Sequence, residues 1–161
     1  MTATTTTKPY GGFAIKGYRE HGGEETVAFT ATLTLDGKPV ASVRNDGRGG
    51  CNLFTFQVRE AVPQWEALAR ELFADRFEPE DRLFERLHLT GQLNRARAVA
   101  FIYDGMEPFD AADGRYRTFR KDVTFADALR YLSGPGHAEK NPRVWVKERS
   151  AFVAVTDLVG A

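Results

Sequence analysis

The amino-acid sequence predicts a single α+β domain in which an antiparallel sheet of about five or six strands is covered by two or three helices. Strong alternation over residues 25–35, followed by an Asp-Gly pair at residues 36–37, predicts a strand and a hairpin turn. An apolar stripe with helical spacing over residues 62–73 predicts a helix packed on that sheet. The length of 161 residues suits one domain with one hydrophobic core.

The first part of the chain contains the clearest hairpin. A short first strand is expected over residues 13–18, and the alternating strand has apolar side chains on one face: Val27, Phe29, Ala31, Leu33 and Leu35. The return strand is expected over residues 39–44. A two-residue turn would pair Leu33 with Val40, whereas a three-residue turn with a bulge would move Ala41 onto the inner face. Both registers stay open.

Two helices are expected after a short strand over residues 53–56. The first begins near Pro63, a residue type well tolerated in a first turn, and its apolar stripe consists of Val62, Trp65, Leu68, Ala69, Leu72 and Phe73. The second begins near Pro79 and runs past Arg86, and Gly91 either ends it or only weakens it.

The second half of the chain alternates short strands with one helix. Strands are expected over residues 99–103, 115–120, 144–146 and 152–155. Thr124 is positioned as the N-cap of a helix over residues 125–131, and the glycines and proline of residues 134–136 then end that helix.

The composition excludes several classes of function. Lysine plus arginine and aspartate plus glutamate each number 22, so the formal charge is zero, which argues against extended binding to nucleic acid. No apolar run approaches the length of a membrane span, and the threonine-rich residues 1–9 are expected to be a disordered tail before a domain over residues 10–161. A single cysteine excludes an internal disulfide and fits a reducing cytoplasm.

The most informative segment is the glycine loop of residues 45–52, with the sequence Asn45-Asp46-Gly47-Arg48-Gly49-Gly50-Cys51-Asn52. It is not a dinucleotide fingerprint, because Asn52 occupies the third glycine position and a strand-like segment follows, and it lacks the Lys-Ser/Thr end of a P-loop. Two interpretations stay open. The amides of residues 47–51 form an anion-binding nest supplemented by Arg48, or Asn45 and Asp46 cap the backbone of an ordinary turn.

Cys51 is a candidate nucleophile within this loop. Catalysis by cysteine needs an activated thiol and a nearby histidine base, and His21 and His88 are the candidate bases, although neither lies at a diagnostic spacing. The alternative is a small buried side chain at a point where the backbone is crowded. The scattered histidines predict no metal site, and no cofactor is expected.

Other notable residues have simpler explanations. The acidic residues of the segment 104–113 lack the terminal glutamate of an EF-hand and indicate a solvated turn. The four arginines of the segment 82–97 are interleaved with acids and indicate a salt-bridged surface. Trp145 would face away from Val144 and Val146 on a strand, so it is expected to be exposed and is a candidate interface residue.

The order of these features resembles an uncharacterised family of small proteins encoded by phages and other mobile elements. The residues that carry the resemblance are Leu35-Asp36-Gly37-Lys38 in the hairpin and the Asn-Asp-Gly-x-Gly-Gly-Cys-Asn sequence of the glycine loop. A histidine is common in that family at the position that Arg48 occupies here. The resemblance implies a phage or mobile-element setting, and it implies no activity.

Three functions are open on this basis. The first is a non-enzymatic binding or regulatory protein that contacts a protein partner or a small anionic ligand, such as a host protein or a signalling nucleotide, through the glycine loop. The second is a cysteine-dependent hydrolase or transferase that uses Cys51 with His21 or His88. The third is a subunit of a virion or another assembly that uses Trp145 as an interface. The oligomeric state and the ligand are left open.

Overall fold

The computed structural model describes residues 8–109 and 115–160, so the predicted tail of residues 1–9 lies almost entirely outside the described residues. The α+β class is confirmed. The described residues form two four-stranded antiparallel sheets in place of the single larger sheet that was expected. The chain divides into two compact units, residues 1–88 and 89–161, so the single-domain expectation is not confirmed.

The first unit contains a sheet whose strands lie in chain order, each antiparallel to the next. The strands are β1 (Phe13–Glu20), β2 (Phe29–Leu35), β3 (Lys38–Asn45) and β4 (Leu53–Phe56). Two helices follow, α1 (Ala61–Phe73) and α2 (Pro79–Arg95), and the division between the two units falls within α2. Gly91 therefore does not end the second helix.

The β2–β3 hairpin combines the two registers that the sequence left open. Its turn has two residues, Asp36 and Gly37, both with positive φ (50° and 80°), as a tight right-twisted hairpin requires. A bulge next to the turn then shifts the pairing, so Leu33 lies opposite Ala41. Val40 is buried as well as Ala41, because the bulge turns two consecutive side chains inward.

The core of the first unit lies between the sheet and the two helices. Trp65 of α1 is fully buried there and packs its ring edge-on against Phe13, with 5.3 Å between the ring centroids. The prediction that Trp65 belongs to the core is confirmed. Val27 was expected on the same inner face, but it precedes β2 and is exposed, so that expectation is wrong.

The second unit contains a shorter sheet with strand order β6-β5-β7-β8. Its elements are β5 (Ala100–Ile102), β6 (Arg117–Thr118), α3 (Phe125–Leu132), β7 (Arg143–Val146), β8 (Ala151–Ala154) and α4 (Val155–Val159). Thr124 caps α3 as predicted, because its hydroxyl oxygen accepts a 3.1 Å hydrogen bond from the Asp127 amide. Among the described helices of both units, none is long and apolar enough to cross a membrane.

Trp145 corrects an expectation from the sequence. It was expected to be exposed, but only 4% of its surface is accessible. Side chains cover both faces of β7, and Trp145 packs in a cluster with Leu93 and Phe152 while its indole N–H donates to Asn94 Oδ1 at 2.9 Å. Trp145 therefore offers no exposed ring through which this chain could form an interface.

Candidate functional site

The glycine loop connects two neighbouring strands of the first sheet. Strand β3 ends at Asn45 and β4 begins at Leu53, and the last pair before the loop joins Arg44 to Leu53. The loop therefore projects from one end of a paired hairpin whose strands are held in register. The ends of the loop are held by the paired strands of the sheet, and the loop itself is held by hydrogen bonds to other segments of the first unit.

Asn45 organises the interior of the loop with both ends of its side-chain amide. Its Oδ1 accepts a 2.8 Å hydrogen bond from the Gly47 amide, and its Nδ2 donates to the Gly50 carbonyl oxygen at 2.9 Å. Nδ2 also donates to Asn52 Oδ1 at 3.0 Å. One side chain thus satisfies backbone groups along the loop, which is the capping role considered from the sequence for Asn45. Among the described residues, Asp46 makes no such side-chain hydrogen bond.

Gly47 anchors the loop to the segment of residues 21–28, which joins β1 to β2. Its carbonyl oxygen accepts hydrogen bonds of 2.9–3.2 Å from the amides of Glu24, Glu25 and Thr26. Gly47 is buried and has a φ of 73°, and a Cβ atom there would lie 2.7 Å from Gly23 Cα. No side chain fits this position, so glycine is required by both conformation and close backbone approach.

The tip of the loop, residues 48–51, is exposed but still restrained. The amide of Gly49 donates to Thr26 Oγ1 at 3.3 Å, and Gly49 has a φ of 76°. Gly50 differs, because its φ is not in the left-handed region and no atom lies within 4 Å of a Cβ placed there. Of the two glycines of the tip, Gly50 is therefore the one that tolerates a side chain without strain.

The end of the loop is tied to α2. The Asn52 amide donates a 2.9 Å hydrogen bond to Asp81 Oδ2 in the first turn of that helix. Burial raises the pKa of Asp81 from 3.8 to about 6, the hydrogen bond from Asn52 opposes this rise, and nearby carboxylates including Glu78 add to it. Asp81 is therefore a half-buried carboxyl whose ionisation is disfavoured and whose oxygen still holds the loop.

These contacts bear on the anion-nest interpretation. Two of the amides that would form the nest already donate elsewhere, that of Gly47 to Asn45 and that of Gly49 to Thr26. In the described part of the chain, the amides of residues 48, 50 and 51 have no acceptor. The free amides thus alternate with engaged ones. The capped-turn interpretation accounts for the Gly47 amide, whereas the Gly49 amide is engaged by Thr26 of the segment that joins β1 to β2.

Cys51 is exposed, so the interpretation of a small buried side chain is wrong. Within the described residues, neither candidate base, His21 or His88, forms a hydrogen bond with Cys51. His21 Nε2 lies 3.0 Å from Thr30 Oγ1, and the ring of His88 packs 3.9 Å from that of Tyr18. Both candidate bases are therefore committed to neighbours within the sheet and helix packing of the first unit.

Across residues 8–109 and 115–160, no group of three or more His, Cys, Asp or Glu side chains could hold a metal ion. Arg82 pairs with Glu85 at 3.3 Å on α2, as the salt-bridged surface predicts. Asp110 and Asp113 of the acidic turn lie outside the described residues.

Comparison with known proteins adds no assignment, since no family model, no curated protein and no solved structure matches this chain. The loop geometry is thus what supports a functional proposal. Sequence reasoning found the loop itself but missed Thr26, Glu25 and Asp81, which hold or border it. The bonding partners of Gly49 and Asn52 lie 23 and 29 residues away in the chain, and no local pattern links such positions.

Proposed function

We propose that this chain is a non-enzymatic binding protein whose contact surface is the glycine loop and whose partner is a protein. The observation that carries the proposal is a backbone that is fixed at Asn45, Gly47 and Asn52 while residues 48–51 are exposed. A surface that is already ordered loses little conformational entropy when a partner binds. The small side chains of the tip also allow a partner to approach its backbone closely.

The charges at this surface favour a protein partner over a small anion such as a signalling nucleotide. Arg48 is the single cation of the loop, whereas Asp46 lies two residues before it in the sequence, and Glu24 and Glu25 belong to the segment bonded to Gly47. A phosphate group would meet these carboxylates as well as the guanidinium. A mixed-charge surface is instead matched by the interspersed charges of another protein.

The biological setting is proposed from the sequence resemblance alone. That resemblance implies a phage or another mobile element, where a small binding protein would act on a component of the host. In this setting the loop would hold a host protein and thereby regulate it.

The experiment is a differential capture from the cells in which the chain is made. The immobilised wild type is compared with Arg48→Glu and Gly50→Arg, which change the exposed tip at positions where the structure has room. Arg19→Glu is the matched control, because Arg19 is an exposed arginine of β1 outside the loop. Gly49→Val is less suitable, since Gly49 has a φ of 76° and substitution there strains the backbone.

The proposal predicts at least one protein that the wild type and Arg19→Glu retain and both loop variants lose. Circular dichroism and thermal unfolding must show that all four chains are equally folded. Titration calorimetry with the purified partner then checks a direct contact. Identical retention of every protein by all four folded chains would remove the loop as the contact surface.

One observation favours the alternative of a cysteine-dependent enzyme, namely the exposure of Cys51. Exposure makes the thiol accessible to a substrate, but activation needs a base or a positive environment as well. His21 and His88 have other neighbours, so the geometry supports the binding function better. The reactivity of the thiol distinguishes the two.

A further inference from the structure

A cavity of about 540 Å³ lies within the second unit, away from the glycine loop in the chain. Its walls come from the start of β5, the end of β7, the beginning of α3 and the end of α4. The apolar part of the lining includes Val99, Val123, Phe125, Val146 and Leu158 together with Ala98, Ala100 and Trp145. Val146 and Leu158 also pack against the buried core of this unit, so the floor of the cavity is a continuation of that core.

Phe125 lines the cavity and is partly exposed. It is the first residue of α3, and 40% of its surface is exposed although it is a large apolar side chain. An exposed aromatic ring beside an apolar cavity is a common feature of sites that enclose the apolar part of a small molecule. The volume falls within the range of roughly 300–1,000 Å³ that is typical of ligand pockets.

The charged residues of the lining carry a net positive charge. Arg97 and Lys147 contribute two cations, and Glu148 contributes one carboxylate. Lys147 is held in place because its Nζ donates to the Ala96 carbonyl oxygen at 2.6 Å. Arg97 has no ion-pair partner anywhere in residues 8–109 and 115–160, so its guanidinium is available to an anion.

We propose that this cavity binds a small amphipathic monoanion, in which one carboxylate is joined to an apolar body. The carboxylate pairs with Arg97 and lies near Lys147, while the apolar body fills the space between Val123, Val146 and Leu158. A guanidinium recognises a carboxylate through two parallel hydrogen bonds, which fixes the orientation of the ligand. The cavity belongs to the second unit and the glycine loop to the first, and the proposal does not depend on the function proposed for that loop.

The test uses the full chain and two carboxylate probes, octanoate with an aliphatic body and 2-naphthoate with an aromatic one. Octanol is the uncharged comparison for octanoate. Titration calorimetry measures binding to the wild type, to Arg97→Gln and to Arg149→Gln. Arg149 is the matched control, because it is an exposed arginine two residues after Lys147 that does not line the cavity.

The proposal predicts one-to-one binding of at least one carboxylate, with an affinity that falls about tenfold or more in Arg97→Gln, as expected for the loss of a charge-assisted pair. Octanol binding should be the same in the wild type and Arg97→Gln, and Arg149→Gln should change nothing. In methyl NMR spectra, the bound probe should shift Val99, Val123 and Leu158. The stronger of the two carboxylates then identifies the apolar body as aliphatic or aromatic.

Three results would overturn the proposal. The first is no binding of either carboxylate at about 1 mM, the weak end of the usual affinity scale. The second is an equal loss of affinity in Arg97→Gln and Arg149→Gln, which would indicate general charge attraction. The third is a dimer in sedimentation experiments whose interface shields the same methyl groups, since a second copy of the chain would then be the occupant.

Discussion

The Asn52 amide and the Asp81 carboxylate form a 2.9 Å hydrogen bond that joins the end of the glycine loop to the first turn of α2. This bond relates two features that are separate in the sequence, a glycine-rich connection between strands and an acidic helix start. It opposes the rise in the pKa of Asp81 that burial causes, because an N–H donor favours the ionised carboxyl. The loop therefore depends on a carboxyl group whose charge is costly where it lies.

Asp81→Asn should stabilise the chain at neutral pH relative to the wild type. Because the pKa of Asp81 rises from 3.8 to about 6 in the folded state, folding favours the protonated form. Ionisation therefore destabilises the wild type progressively as the pH rises from about 4 to about 6, and fully above that range. Asparagine avoids this loss and keeps an oxygen that accepts the Asn52 amide. Urea unfolding between pH 4 and pH 7 should show the variant gaining on the wild type as the pH rises.

Asp127→Asn should change the stability in the opposite direction to Asp81→Asn, because the pKa of Asp127 is lowered in the folded state and that of Asp81 is raised. The hydrogen bond from the Thr124 hydroxyl, together with Arg130, lowers the pKa of Asp127 in the folded state. Its contribution to stability is thus present above the ordinary pKa of a carboxyl and is lost as the pH falls. This variant should lose stability at pH 7, and its difference from the wild type should shrink towards acid pH. Parallel curves for the two variants would contradict both assignments.

Gly47→Ala and Gly50→Ala should differ sharply although they lie three residues apart. Gly47 has a φ of 73°, and a Cβ atom would lie 2.7 Å from Gly23 Cα and 2.9 Å from the Thr26 carbonyl oxygen. The left-handed conformation alone costs an alanine about 1–2 kcal/mol, and the backbone contacts add to that. Gly50 has neither restriction, so alanine there should be neutral or stabilise by up to about 1 kcal/mol through the unfolded state.

Urea unfolding curves of these two alanine variants measure the difference. Equal free energies of unfolding would show that Gly47 is not held against the segment of residues 21–28. The same experiment shows whether Gly50, unlike Gly47, tolerates a side chain without loss of stability. The capture experiment with Gly50→Arg requires this, because the variant has to be folded.

Sequence reasoning succeeded where a structure is determined by neighbouring residues. The Asp36–Gly37 turn, the apolar stripe that buries Trp65, and the Thr124 cap all depend on residues within a few positions of one another. The strand pairing in two sheets could not be predicted in this way, because β5 pairs with β7 across more than forty residues of the chain. The burial of Trp145 depends on side chains packed over the second face of β7, which strand alternation does not reveal.

In the candidate site, too, the contacts between neighbouring residues were predictable from the sequence and the long-range contacts were not. The capping role of Asn45 was predictable, since asparagine commonly bonds to backbone groups two residues further on. The links from Gly49 to Thr26 and from Asn52 to Asp81 were not, because each joins segments that only the folded chain brings together. The exposure of Cys51 likewise follows from the direction in which the folded loop projects.

Thr124→Ala should destabilise the second unit by about 1 kcal/mol, the usual effect of removing a helix N-cap. The Thr124 hydroxyl oxygen accepts from the Asp127 amide at 3.1 Å and donates to the Asp127 carboxylate at 2.6 Å. Thr124→Ser keeps both bonds and should retain most of the stability. Amide hydrogen exchange in α3 reports the effect locally, and equal exchange rates in the two variants would show that the cap does not stabilise this helix.

The Cys51 thiol should react with a disulfide reagent at about the same rate in the native protein as in the chain unfolded by denaturant. The thiol is exposed, so reaction needs no unfolding, and His21 and His88 pack against other residues. A catalytic thiolate would react much faster than an ordinary cysteine near neutral pH. Folded His21→Gln and His88→Gln variants should therefore leave the rate unchanged. The opposite outcome has two parts: the thiol reacts far faster in the native protein than in denaturant, and His21→Gln or His88→Gln lowers that native rate. This outcome would support a cysteine-dependent enzyme and contradict the non-enzymatic function proposed for the glycine loop.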